Sequence, residues 1–194
     1  KFIEEIEIVS TNTKVIKKTT EGDKVVITEY IDNIKTNEWH WNIRKKKGTI
    51  KEKEYELIVA WNDNLTNDET VLYSYFKTNV KFPFPILVNG SFDLISNRNQ
   101  LRTTDYNAKL FHHLIDLMLE VAETIAEKTK GYTALKLLSI DFKNLSSDVS
   151  ALLDFPKVLK EKVLKSKLFP TVNGDYISYD DEPVYYRNFK SSIL

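Results

Sequence analysis

Across residues 104–130 apolar side chains recur at the three- and four-residue spacing of an α-helix, and they do so too densely for a helix covered on one side only. Leu110, Leu114, Leu117, Met118, Val121 and Ile125 form one face. Phe111, Ile115, Leu119, Ala122 and Ala126 widen it, which leaves His113, Asp116, Glu120, Glu123 and Glu127 as a narrow polar stripe. Thr104-Asp105 offers an N-cap and Lys130-Gly131 an end. Such a helix must lie against a sheet and be partly covered by further elements, so the flanking chain has to supply that cover.

What precedes the helix reads as sheet. Short apolar, partly alternating segments predict strands at 2–9, 14–19, 24–32, 38–44, 55–61 and 70–76. Glu21-Gly22-Asp23 is the turn of one hairpin, and Lys45-Lys46-Lys47-Gly48 reads as a basic turn of another. The prolines of Phe82-Pro83-Phe84-Pro85 cannot donate to a ladder, so this is an edge or entry segment that feeds 86–88 into the sheet, with a bend at Gly90. Helical patterns resume at 133–138, 147–153 and 156–167, and 168–179 reads as a hairpin turning at Val172-Asn173-Gly174-Asp175. The expectation is an α+β fold: a mixed, largely antiparallel sheet with helices on one face, then a small helical segment and a β-hairpin. Two units are expected, 1–130 and 131–194. The chain opens at Lys1 as if in mid-strand, so a piece of a longer protein is expected.

Several function classes drop out on composition. Lys+Arg and Asp+Glu both number 28, so no global field draws the chain to nucleic acid or an anionic membrane. Cysteine is absent, which removes thiolate nucleophiles, disulfides and Cys-type zinc sites and suits a reducing, cytoplasmic setting. Glycines at 22, 48, 90, 131 and 174 lie too far apart for a phosphate-cradling loop, so the chain should hold no nucleotide by itself. His40, His112 and His113 lack ligand spacing, and no metal site is expected. No apolar run is long enough to span a membrane. Trp39 and Trp41 beside Arg44-Lys45-Lys46-Lys47 combine stacking with phosphate neutralisation, but a solvated hairpin tip followed by Glu52, Glu54 and Glu56 is the simpler reading, so nucleic acid is not expected as a partner. Tyr73, Tyr75, Phe82 and Phe84 are candidates for an exposed aromatic surface that receives a client or partner protein.

Arg98 is the position with a specific chemical claim. It sits in the polar run Ser96-Asn97-Arg98-Asn99-Gln100, between an apolar strand and a helix start, where a rigid scaffold can offer a permanently charged planar fork. Two readings fit its local chemistry: an arginine capping the strand-to-helix turn, and an arginine offered to a phosphate held by another domain.

Residues 72–126, with Tyr73-Ser-Tyr-Phe76, Phe82-Pro-Phe-Pro85, Val88-Asn-Gly-Ser-Phe92, Leu94-Ile-Ser-Asn-Arg98 and Asn107-Ala-Lys109, resemble the segment that follows the ATPase domain in sacsin-like proteins. These belong to the GHKL group of ATPases, with the ninety-kilodalton heat-shock chaperones as relatives. Ser96-Asn97-Arg98-Asn99-Gln100-Leu101-Arg102 is similar to the Asn-hydrophobic-Ser-Arg-x-x-Leu-Gln loop of those chaperones, with Arg98 on the loop arginine and Leu101 on the leucine. Asn97 stands where the chaperones have Ser, and Arg102 where they have Gln. Leu168-Phe-Pro-Thr-Val-Asn-Gly174 is similar to a sacsin-type strand and turn. The resemblance implies a ribosomal-S5-second-domain-like fold up to about residue 130 and a middle or transducer role in a chaperone-like ATPase. Arg98 would then reach the γ-phosphate of ATP, bound with Mg in a preceding N-terminal ATPase domain, and Asn97 and Arg102 would be lesser contacts. The partners so implied are that ATPase domain, a client protein and, in the parent, a second copy in a homodimer. A protein-interaction module without catalytic role is the alternative.

Overall fold

In Lys53–Trp61 the side chains at 55, 57, 59 and 61 are all buried and those between them are not, the period of two that a sheet with one covered face imposes. The computed structural model describes residues 5–8 by their backbone, and residues 14–97, 100–171 and 173–180 with side chains. Among them, eight strands form one sheet: β1 Glu5–Ile8, β2 Lys14–Glu21, β3 Lys24–Ile31, β4 Ile34–Ile50, β5 Lys53–Trp61, β6 Val71–Ser74, β7 Phe76–Lys81 and β8 Leu87–Gly90. β1 to β5 pair in sequence as an antiparallel meander, and β8 adds antiparallel to β5. β6 then lies parallel to β8, and β7 folds back on β6 at the edge. The fold is α+β with a mixed, mostly antiparallel sheet, helices, and a small C-terminal hairpin.

Helix α1, Asp105–Lys128, starts where expected: Thr104 is extended, and its hydroxyl accepts the Asn107 N–H at 3.2 Å. It runs along β4 and β5. Arg44 donates to the Thr124 hydroxyl at 3.3 Å, Lys46 pairs with Glu120 at 3.0 Å, and the His113 ring stacks on Tyr55 at 5.0 Å. Leu110, Leu114, Leu117 and Met118 are fully enclosed. Each such side chain contributes ~1.5–3 kcal/mol relative to exposure, against ~1 kcal/mol for a cap, so packing rather than local propensity holds α1 in place.

The cover on its other side comes from α2 Thr133–Lys136, a 3-10 turn at Phe142–Asn144, α3 Ser147–Leu152 and α4 Phe155–Lys165. Their Leu135, Val149, Phe155 and Leu159 enter the same core as the sheet and α1. Phe155 sits edge-on to Phe82 at 5.7 Å and to Phe111 at 6.1 Å, and Phe84 and Phe92 complete that aromatic cluster. The final hairpin pairs β9 Phe169–Pro170 with β10 Tyr176–Ile177. Gly174, at φ 90°, serves the turn as the sequence predicts, and Val172 lies outside the described residues.

Three expectations need correction. Lys45-Lys46-Lys47-Gly48 is not a turn but lies within β4, paired with Ile58 to Tyr55 of β5. Its charges are met where they stand: Lys47 pairs with Glu56 at 3.0 Å, while Lys46 lays its stem toward α1 to reach Glu120. The chain reverses at Lys51-Glu52 instead, both at positive φ. The single strand expected over 70–76 is two, because the chain turns back at Tyr75. Phe82 and Phe84, expected as exposed partner-binding aromatics, are each 1% exposed and belong to the core. The prolines keep 82–86 out of the ladder, and freed from a sheet register both rings turn inward.

Candidate functional site

The loop that carries the Ser-Asn-Arg-Asn-Gln run leaves the sheet at Gly90. A Cβ at that residue would sit 2.8 Å from Leu57 Cδ2 and 2.8 Å from the Phe92 ring, so any larger residue there forces those side chains to shift. Ser91 is fixed at once by two bonds with Glu56, whose carbonyl accepts its N–H and whose own N–H donates to the Ser91 hydroxyl, both at 3.1 Å. Beyond Asp93 the two arms of the loop meet in an antiparallel bridge between Leu94 and Leu101. The Ile95 N–H donates to the Gln100 carbonyl at 3.1 Å, so the two arms are held together there as well.

One buried side chain holds both arms. Asn107, in the first turn of α1, is fully enclosed. Its Oδ1 accepts the Asp93 N–H at 3.0 Å, and its Nδ2 donates to the Asp93 and Arg102 carbonyls, each at 2.8 Å. A second tie comes from α3, where Asp148 Oδ2 accepts the Leu101 N–H at 3.0 Å. Ion pairs surround the base. Lys53 pairs with Asp93 and lies 4.0 Å over the Tyr106 ring, and Lys51 pairs with Asp105 at 2.9 Å, which holds the Asp105 carboxyl below the usual range. Tyr106 donates to the Ser91 carbonyl at 3.1 Å, and its own hydroxyl is pushed up, first by burial and then by the negative charge of Asp93.

The residues singled out from sequence divide accordingly. Asn97 is exposed in the turn at the loop tip. Arg98 and Asn99 lie outside the described residues. Arg102 points back along the loop, with Nε donating to the Leu94 carbonyl at 3.0 Å. Of the aromatics proposed for a partner surface, Tyr75 is 76% exposed and Tyr73 partly covered. Trp39, paired across the sheet with Ile27, is 43% exposed.

Sequence reasoning quoted Asn107 without giving it a task. The available signal was its position: it precedes Leu110 by three residues and Phe111 by four, so it is an amide on the apolar face, and a buried amide must be hydrogen-bonded. Asp148 had no such signal, because its partner is forty-seven residues away. Elsewhere, an apolar groove of about 520 Å³ lies between α2 and α4, lined by Leu138, Phe142, Leu159 and Leu164 with Lys157 and Lys160 at its rim. Among the described residues no group of three or more His, Asp or Glu is placed to hold a metal ion, and no helix is long and apolar enough to cross a membrane.

Comparison with protein-family models, curated proteins and solved structures finds no match to this chain.

Proposed function

We propose that this chain is the middle or transducer segment of a chaperone-like, sacsin-type GHKL ATPase acting in the cytoplasm, and that it offers Arg98 to the γ-phosphate of ATP held with Mg by another domain of the same protein. The observation that carries the reading is the construction of the loop: a polar tip whose two arms are closed by the Leu94–Leu101 bridge and clamped by the buried Asn107 amide. A guanidinium that stabilises charge developing in a transition state needs this kind of rigid support, because its benefit comes from being in place before the charge appears. An arginine that merely capped a surface turn would need none of it.

In this reading Arg102 acts as a brace. Its Nε bond to the Leu94 carbonyl fastens the loop to its own stem and leaves the phosphate to the tip. The transducing path runs from the loop through Asn107 into α1, and through Asp148 into α3, so a change at the tip is delivered to two helices at once. A client and a second copy are the further partners of the parent protein.

The test is Arg98→Ala in the protein that carries the ATPase domain. Nucleotide affinity is expected to stay within about twofold while single-turnover hydrolysis falls by about 10³-fold or more, the scale of an arginine finger. Arg98→Lys, which keeps the charge and loses the fork, should recover only a small part. Hydrolysis unchanged in both variants removes Arg98 from the mechanism and the reading with it.

A further inference from the structure

Tyr179 is held at the edge of the apolar groove between α2 and α4. Its N–H donates to the Leu164 carbonyl at 2.8 Å, and its ring meets the Phe169 ring at 5.7 Å. Leu164 and Phe169 both line the groove, so the chain is delivered to the groove wall just before residues 181–194.

The groove has two properties that select an occupant. Its floor is apolar: Leu138 and Leu159 are buried there, and Phe142 is left 39% exposed. Its rim is basic. Lys162, on the same helix, pairs with Asp116, whereas among the described residues Lys157 and Lys160 pair with no acid, and Asp154, the one acid in the lining, closes on neither.

The sequence that leaves Tyr179 carries the complement. Asp180-Asp181-Glu182 comes first, then Val184, Tyr185, Tyr186 and Phe189. The spacing agrees as well. At about 1.5 Å of rise per residue, Lys160 and Lys157 lie ~6 and ~10 Å back along α4 from Leu164. An extended chain advances ~3.3 Å per residue, so one running back along α4 from Tyr179 brings Asp181 and Glu182 to ~7 and ~10 Å. Two acids then stand opposite two lysines, and the aromatic run is the next apolar stretch available to the floor. A partner from outside would have to displace a segment tethered at the groove's own edge, where its effective concentration is in the millimolar range.

We infer that this groove is the seat of the chain's own segment 181–189, with Asp181 and Glu182 on Lys160 and Lys157 and with Val184, Tyr185 and Tyr186 against Leu138, Phe142 and Leu159. Seated there, the segment covers an apolar patch that would otherwise be adhesive. The inference stands apart from the function proposed above.

The experiment uses the full chain, whose lack of cysteine lets Ser191→Cys carry a single spin label. Methyl signals of Leu138, Leu159 and Leu164 are expected to lose most of their intensity, while those of Ile16 and Ile27, on β2 and β3, keep theirs. Amides of 183–189 should exchange about tenfold or more slower than in an unfolded chain. Lys157→Glu with Lys160→Glu, at exposed positions, turns two attractions into repulsions and should abolish both effects. Adding Asp181→Lys with Glu182→Lys should restore them, a recovery that damage to the fold cannot produce. Groove methyls untouched by the label in the full chain, or broadened alike whatever the charges, overturn the assignment. So does broadening that persists in full when spin label and isotope are on separate chains, which gives the groove to a second copy.

Discussion

Replacing Asn107 by alanine is expected to loosen the candidate loop at its root, and the cost follows from three bonds. The amide is the bonding partner of the Asp93 N–H at 3.0 Å and of the Arg102 carbonyl at 2.8 Å, while the Asp93 carbonyl also accepts the Arg102 N–H at 2.9 Å. Asn107→Ala therefore strands one donor and one acceptor, and the third group keeps a partner. A buried group left unsatisfied costs ~1–3 kcal/mol, so the pair should cost about 2–6 kcal/mol in total. In a chain of this size that lowers the melting temperature by roughly 4–24 °C. Urea unfolding at constant pH measures the loss, and limited proteolysis of 93–102 reports whether it is local. Asn107→Asp sharpens the test. The substituted carboxyl still accepts the Asp93 N–H, but its second oxygen faces two carbonyls, so its folded-state pKa must lie above that of the unfolded chain. Stability is then closest to wild type at low pH and is lost as pH rises through the raised value. A loss below about 0.5 kcal/mol for Asn107→Ala, or a flat pH response for Asn107→Asp, refutes the clamp.

Three further outcomes follow from the packing. Phe155→Ala opens a hole at the meeting point of Phe82, Phe84 and Phe111 and should destabilise by ~3–5 kcal/mol in the same urea assay. Gly90→Ala pushes a methyl against Leu57 and the Phe92 ring, an overpacking that costs ~1–3 kcal/mol, and should raise the proteolysis rate of the adjoining loop. His113, whose pKa is lowered by burial first and by Lys46 next, is favoured neutral in the fold. Its depressed value means stability is complete above the unfolded histidine pKa and falls as the ring is forced to protonate on acidification. His113→Gln should flatten that part of the stability profile, and NMR titration of the ring should show a midpoint below that of a free histidine.

Periodicity along the chain was enough to place α1 with its Thr104 cap, the strands β2, β3 and β5, and the proline-bearing entry to β8, because each rests on neighbours a few residues apart. It misplaced the turn after β4 for a physical reason. Four basic residues in a row resemble a solvated tip until Glu56 and Glu120, from β5 and α1, are known to stand opposite them. The inward turn of Phe82 and Phe84 was illegible for the same cause: their partners Phe111 and Phe155 come from two helices beyond. At the candidate site, the polar run around Arg98 is a matter of composition and stands in the sequence. What closes that run into a loop is decided across space, by an amide on α1 and a carboxylate on α3. Hydrophobic pattern is a local sum and can be read in one dimension. A hydrogen bond between residues 101 and 148 depends on how layers stack, and only the folded chain contains that information.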